Sequence, residues 1–217
     1  MKHKKYFLFD LDGTLTDPWE GITNSVKHSL KAFRIENPDI STLAAFIGPP
    51  LRDSYKKFYG FTDEQAEIAV AEYRKHFGDK GMYENVLYEG IDVLLKNLRD
   101  DGKILMVATS KAAVYAEIIL KYFKLHSYFH FVAGSELDGR RSKKSELIQH
   151  ALDNMNITDI ENAVMVGDRE FDIIGANEVG IDSIGVLYGY GDLQELTNAG
   201  ATAIAKDVVA LTELLTS

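Results

Sequence analysis

The 217-residue chain contains no cysteine, which excludes a disulfide, a thiolate-held zinc and a cysteine nucleophile. No apolar run approaches the length of a membrane span. Met1-Lys2-His3-Lys4-Lys5 has the charge of a leader peptide's first region, but the apolar stretch behind it stops at Asp10 after four residues. That is too short for the core of a leader, and a cytoplasmic protein is expected. Positive charge is also scarce: 24 Lys and Arg face 33 Asp and Glu, for a net charge of −9 and a pI of about 5.2. This balance argues against a nucleic-acid or anionic-membrane partner. Several nucleotide and hydrolase signatures are missing as well. There is no Gly-x4-Gly-Lys-Ser/Thr loop and no Gly-x-Ser-x-Gly elbow, and Gly185, Gly189 and Gly191 have the wrong spacing for a dinucleotide fingerprint. The chain carries no internal repeat and no low-complexity segment.

What is present is the composition of a globular protein with material for a sizeable core, 46% hydrophobic and 26% charged. At this length, one domain or one domain with an insert are both open. Short apolar runs at Tyr6–Phe9, Ile104–Ala108, Phe129–Ala133, Ala163–Val166 and Ile181–Leu187 read as buried strands. Helical patterns lie between them: Ile91, Leu94, Leu95 and Leu98; then Val114, Ile118, Ile119, Tyr122 and Phe123; then Leu147, Ile148, Ala151, Leu152 and Met155. This alternation predicts an α/β protein with a doubly wound, mostly parallel sheet. Residues 17–85 break the pattern, with no strand-like run. Asp17-Pro18 reads as a helix start, Asp capping and Pro at the first position, followed by Ile22, Val26, Leu30 and Phe33 at helical spacing. Thr62-Asp63-Glu64-Gln65 reads as a capping box. Pro38, Gly48-Pro49-Pro50 and Gly60 divide the segment into about four helices. The expected organisation is therefore an α/β core of residues 1–16 and 86–217 with an all-helical module, 17–85, inserted after the first strand.

The chemistry concentrates at strand ends, where open α/β sheets bind ligands. The first strand runs into Asp10-Leu11-Asp12-Gly13-Thr14. Strand side chains alternate in direction, so Asp10 and Asp12 share a side if the extended geometry continues through Leu11. Two like charges that close are costly unless a cation lies between them or one is protonated. The pair suggests a divalent metal with a nucleophile or an acid/base; the plainer alternative is that both residues only open a loop. Ile104–Ala108 ends in Thr109-Ser110-Lys111, whose hydroxyls and amide suit phosphate oxygens or, equally, a helix cap. Ala163–Val166 ends in Gly167-Asp168, with Asp172 one helical turn further on. Asp168 is placed to complete a hard-cation site with Asp10, and Asp172 serves either there or as a helix-dipole partner. Gly139-Arg140-Arg141-Ser142-Lys143-Lys144 is a basic cluster in an acidic chain. Most of it reads as a solvated face, while one inward lysine would neutralise a bound phosphate and a carboxylate beside it. His126 and His130 are four apart, but the surrounding aromatics read as a strand entry rather than a metal site.

Together, Asp10-x-Asp12-Gly13-Thr14, Thr109, Lys144 and Gly167-Asp168-x3-Asp172 resemble, in order, the four motifs of the haloacid dehalogenase-like phosphatases, and within them the phosphoglycolate-phosphatase-like enzymes. The helical insert is similar to that family's small cap. Many relatives carry Lys-Pro at the third motif; here Lys143-Lys144-Ser145 leaves Lys143 and Arg141 as rivals to Lys144. The resemblance implies a phosphatase acting on a small phosphorylated metabolite, as a monomer or homodimer. Asp10 would be the nucleophile that forms an aspartyl-phosphate, and Asp12 the general acid/base. Mg²⁺ would be held by the Asp10 carboxylate, the Asp12 carbonyl and Asp168, with Asp172 orienting the site. The backbone amides of Leu11 and Ser110, together with Thr109 and Lys144, would bind the phosphoryl oxygens. Asp12 argues against dehalogenation, which needs no acid for a halide. A phosphomutase and a non-catalytic phosphate-binding module are the alternatives. In the insert, Arg52 beside Gly48-Pro49-Pro50 either meets a second anion on the substrate or is a solvated first-turn residue. Phosphoglycolate, a nucleoside monophosphate, pyrophosphate and a sugar phosphate all remain open as substrates.

Overall fold

A computed structural model describes residues 1–216. The chain divides into two compact units, Met1–Asp17 with Leu87–Ser217 and Pro18–Val86.

The first unit is built on six parallel strands: β1 (Tyr6–Phe9), β4 (Ile104–Ala112), β5 (Phe131–Ser135), β6 (Ala163–Gly167), β7 (Asp182–Val186) and β8 (Ala203–Ala205), in the order β5-β4-β1-β6-β7-β8. Two-residue strands β2 (Thr16–Asp17) and β3 (Val86–Leu87) lie where the chain passes between units. The sheet grows from β1 through β4 to β5, then restarts at β6 on the other side of β1. The chain therefore reverses beside β1, which makes this the switch point where ligand crevices open. Its strands are apolar on both faces, as parallel strands buried between helices must be. Leu8, Met106 and Met165 point to one face, where they pack with Leu147, Ile148, Ala151 and Leu152 of α7 (Lys144–Asn154) and Ala176 of α8 (Glu170–Val179). Helices α5 (Ile91–Asp100) and α6 (Ala113–Tyr122) precede and follow β4, and the right-handed crossover rule for parallel strands assigns them to the opposite face. Ile91, Leu94, Leu95 and Leu98 of α5 are buried, each stabilising the fold by roughly 1.5–3 kcal/mol relative to exposure. Helices α9 (Leu193–Asn198) and α10 (Val208–Thr216) complete the unit.

The second unit holds α1 (Trp19–Lys31), α2 (Ile40–Ala44), α3 (Leu51–Tyr59) and α4 (Asp63–His76), followed by a π-helical turn at Phe77–Gly81. Its interior is Ile22, Val26 and Leu30 of α1 with Ala66, Ala69, Val70 and Tyr73 of α4, and Phe46, Ile47 and Tyr55. The Thr62/Gln65 capping box forms in both directions, at 3.3 and 2.9 Å. No helix among the described residues is long and apolar enough to cross a membrane.

Three expectations need correction. The strand expected at 129–133 begins two residues later, because His126–Tyr128 form a 3-10 turn and Phe129 packs edge-on against Phe9, 6.3 Å between ring centres. β4 does not stop at Ala108 but runs, with a register irregularity, to Ala112. Helix α6 therefore begins at Ala113, beyond the reach of a Thr109 or Ser110 cap. Asp17 does not cap α1, whose cap position is Pro18 with no side-chain bond; its carboxylate instead accepts from the Tyr190 hydroxyl.

Candidate active site

Strand register assembles the site. Phe9, the last residue of β1, pairs with Val107 on one side and Val166 on the other. The next residues, Asp10, Ala108-Thr109 and Gly167-Asp168, therefore emerge together at the carboxyl edge of the sheet. The Asp10 amide still donates to the Val166 carbonyl at 2.9 Å, which fixes the direction of its side chain.

Lys144, the first residue of α7, is buried and reaches into this edge. Its Nζ lies 3.0 Å from Asp10 Oδ1 and 2.7 Å from Asp172 Oδ1, and donates to the Ala108 carbonyl at 3.1 Å. Burial alone would pull its ammonium down, but the two carboxylates outweigh that and raise it above the ordinary lysine range. Lys143 is exposed, and Arg141 is directed to Glu136 at 3.6 Å. Carboxylate oxygens of Asp10, Asp168 and Asp172 all fall within 4.8 Å of one another, and all three residues are buried. Burial, then the charges of Asp172 and Asp10, push Asp168 well above the usual carboxylate range. Three buried carboxylates offset by one lysine form a hard, oxygen-only donor set of the kind that suits a divalent cation, and a cation there would offset the neighbouring charges that, after burial, hold Asp168 up.

Asp168 is oriented by the Tyr190 amide on Oδ2 at 2.8 Å and the Thr14 hydroxyl on Oδ1 at 3.4 Å. Two glycines make room for it. Gly13 has φ +79°, and a Cβ there would strike the Asp168 carboxylate; a Cβ on Gly189 would strike Asp168 and the Gly13 carbonyl. Asp172 Oδ2 accepts from the Arg169 amide at 3.1 Å across the first turn of α8.

Asp12 faces elsewhere. Its Oδ2 pairs with Lys111 Nζ at 2.8 Å, while Oδ1 is buried without a hydrogen-bond partner among the described residues. Burial raises its carboxyl above the ordinary value and Lys111 holds it back. Thr109 is buried, and its Oγ1 accepts from the Lys111 amide at 3.3 Å. The Leu11 amide donates to Asp10 Oδ1 at 2.7 Å, so here it orients the carboxylate. The Ser110 carbonyl is fixed by the Ser135 hydroxyl at 2.8 Å. Arg52 belongs to the helical unit, where it is half-exposed and paired with Glu67 at 3.0 Å and Asp63 at 3.5 Å.

A family model of the haloacid dehalogenase-like hydrolases matches residues 7–186. The chain belongs to this family. A relative from Pseudomonas aeruginosa, named 5'-nucleotidase, is 45% identical over 210 residues, covering 97% of this chain and 95% of its own. The crystal structure of a predicted phosphatase from Clostridium acetobutylicum superposes with a TM-score of 0.94 at 49% identity, covering 97% of each chain. A Mycobacterium tuberculosis protein named tyrosine-protein kinase PtkA is 37% identical over 197 residues, 91% of this chain and 67% of its own.

The Lys111 side chain has no role legible in the sequence, although it follows Thr109-Ser110 directly. The Gly189-Tyr190-Gly191 loop has the wrong spacing for a dinucleotide fingerprint, and its part in orienting Asp168 becomes visible in the structure. The available signal was position: the loop follows β7 at the same sheet edge.

Proposed function

We propose that this hydrolase is a Mg²⁺-dependent phosphomonoesterase that acts on a small phosphorylated metabolite through an aspartyl-phosphate on Asp10. The observation that carries the reading is the buried cluster in which Lys144 contacts Asp10 while Asp168 and Asp172 close within 4.8 Å of it. A carboxylate nucleophile and a phosphate-neutralising cation are thus side by side, next to a donor set for a metal. Asp10, Asp168 and the Asp12 carbonyl would hold Mg²⁺. When bound, it supplies positive charge against the developing charge of the transferring phosphoryl group.

In the first step an Asp10 oxygen bonds to phosphorus as the ester P–O bond breaks. The electron pair goes to the leaving oxygen, which takes a proton from Asp12. In the second, Asp12 takes a proton from water as that water's oxygen bonds to phosphorus. The acyl-phosphate P–O bond then returns its electrons to Asp10. Lys144, Thr109 and the Ser110 amide would position the phosphoryl oxygens, joined by the Leu11 amide once it turns from Asp10 Oδ1 to the bound phosphoryl group, since catalysis of this transfer is chiefly positioning and charge neutralisation. The Pro18–Val86 unit serves as the cap that selects substrates.

Nucleoside 5'-monophosphates head the substrate list because of the relative named 5'-nucleotidase, followed by phosphoglycolate. The test is release of inorganic phosphate from a monoester panel with Mg²⁺ and without a bisphosphate activator. Release from at least one metabolite supports the hydrolase. Turnover only with a bisphosphate would make it a mutase, transfer from ATP to tyrosine a kinase, and neither release nor transfer a binding module.

A further inference from the structure

The reaction above gives Lys111 no role, yet its side chain is only 6% exposed and ends 2.8 Å from Asp12 Oδ2. The strand itself directs it there. β4 pairs with β5 at Thr109↔Gly134 and again at Ala112↔Ser135, leaving Ser110 and Lys111 as extra residues between the two pairings. Such irregularities re-aim side chains near active sites. This one is tied down by the Lys111 amide on Thr109 Oγ1, at 3.3 Å, and by the Ser135 hydroxyl on the Ser110 carbonyl, at 2.8 Å.

The consequence is an asymmetric carboxylate. Asp12 Oδ2 is clamped by an ammonium, and Oδ1 is buried without a hydrogen-bond partner among the described residues. A buried oxygen left bare is costly, and the side chain would rotate to share its donor unless something fixed it. We propose that Lys111 is a positioning residue that clamps Asp12 Oδ2 so that Oδ1 is the atom that exchanges the proton with the leaving oxygen. The inference rests on the reading of Asp12 as the acid/base.

Leaving groups separate the two ideas. kcat/KM reports the steps up to expulsion of the alcohol, and p-nitrophenolate leaves without a proton whereas an alkoxide does not. With full-length protein and Mg²⁺, kcat/KM is measured on p-nitrophenyl phosphate and on the alkyl monoester that the wild type hydrolyses fastest. Asp12→Asn should lose far more on the alkyl ester than on the aryl ester; equal losses would defeat the acid/base reading itself. Given that result, Lys111→Met should lose roughly ten- to hundredfold on the alkyl ester, the scale of a misplaced proton donor, and less than about threefold on p-nitrophenyl phosphate. Lys111→Arg should recover part of the alkyl activity. Thermal melting checks the fold, and Lys111→Gln takes the place of the methionine variant if that one does not fold. Equal losses on both esters, or none on either, would overturn the clamp while leaving Asp12 in its role.

Discussion

Asp172 illustrates how one residue balances opposing charges. Burial raises its carboxyl, Lys144 lowers it, and Asp10 raises it again, leaving it at about 6 instead of 3.8. A carboxyl raised in the folded state contributes stability at low pH and loses it as pH rises through the folded value. In metal-free protein, the stability of wild type relative to Asp172→Asn should therefore increase as pH falls from 8 to 5, by an amount on the order of 1 kcal/mol. The subtraction cancels His130 and His150, which burial pushes the opposite way. Urea unfolding of both proteins in EDTA measures this, and a flat or reversed difference would show that Asp172 is not held as described. Residues of this kind were unevenly legible. An aspartate pair closing an apolar run points to a buried charge problem, so Asp10, Asp12 and Asp168 could be named from sequence. Lys144 could be narrowed only to a basic run, because nothing in Arg141, Lys143 or Lys144 says which one turns inward. Lys111 could not be read at all: its direction depends on a strand irregularity with no sequence mark.

At the scale of elements, the site depends on how α8 begins. Glu195, in the first turn of α9, accepts at one oxygen from Arg169 Nε at 2.8 Å and from the Glu170 amide at 2.9 Å. It thereby anchors the turn that carries Asp172 and follows Asp168. Glu195→Ala removes two charge-assisted bonds from a mostly buried position. It should lower unfolding stability by about 1–3 kcal/mol and raise the Mg²⁺ concentration needed for half-maximal activity several-fold. An unchanged Mg²⁺ requirement would mean that α8 holds its register without α9. The long apolar runs gave the central strands because such runs are buried on both faces. β8 has only three residues, Ala203–Ala205, too few to show a period. Phe129 read as strand because an apolar residue packed on Phe9 looks the same in sequence whether it lies in the strand or just before it. Thr62-x-x-Gln65 was legible for the opposite reason, since its bonds are local.

The whole molecule is two units joined where the chain crosses at Asp17/Pro18 and Val86/Leu87. The buried Asp10, Asp168, Asp172 and Lys144 all belong to the first, which is where the proposed chemical step would take place. The switch in strand order beside β1 explains why residues 10, 109, 144 and 168 gather although they are far apart in sequence. Substrate identity was not legible, since it depends on surfaces whose pattern carries no motif; Arg52, the one residue named for it, is engaged with Asp63 and Glu67. The most direct test of the central claim is the rate of phosphate release by wild type and Asp10→Asn, each with Mg²⁺ and with EDTA, on a nucleoside 5'-monophosphate and on p-nitrophenyl phosphate. Wild type should release phosphate only with Mg²⁺. The asparagine variant, nearly isosteric but a poor nucleophile, should stay folded and inactive on both. Wild-type rates from the variant, or undiminished release in EDTA, would contradict a metal-assisted aspartate nucleophile.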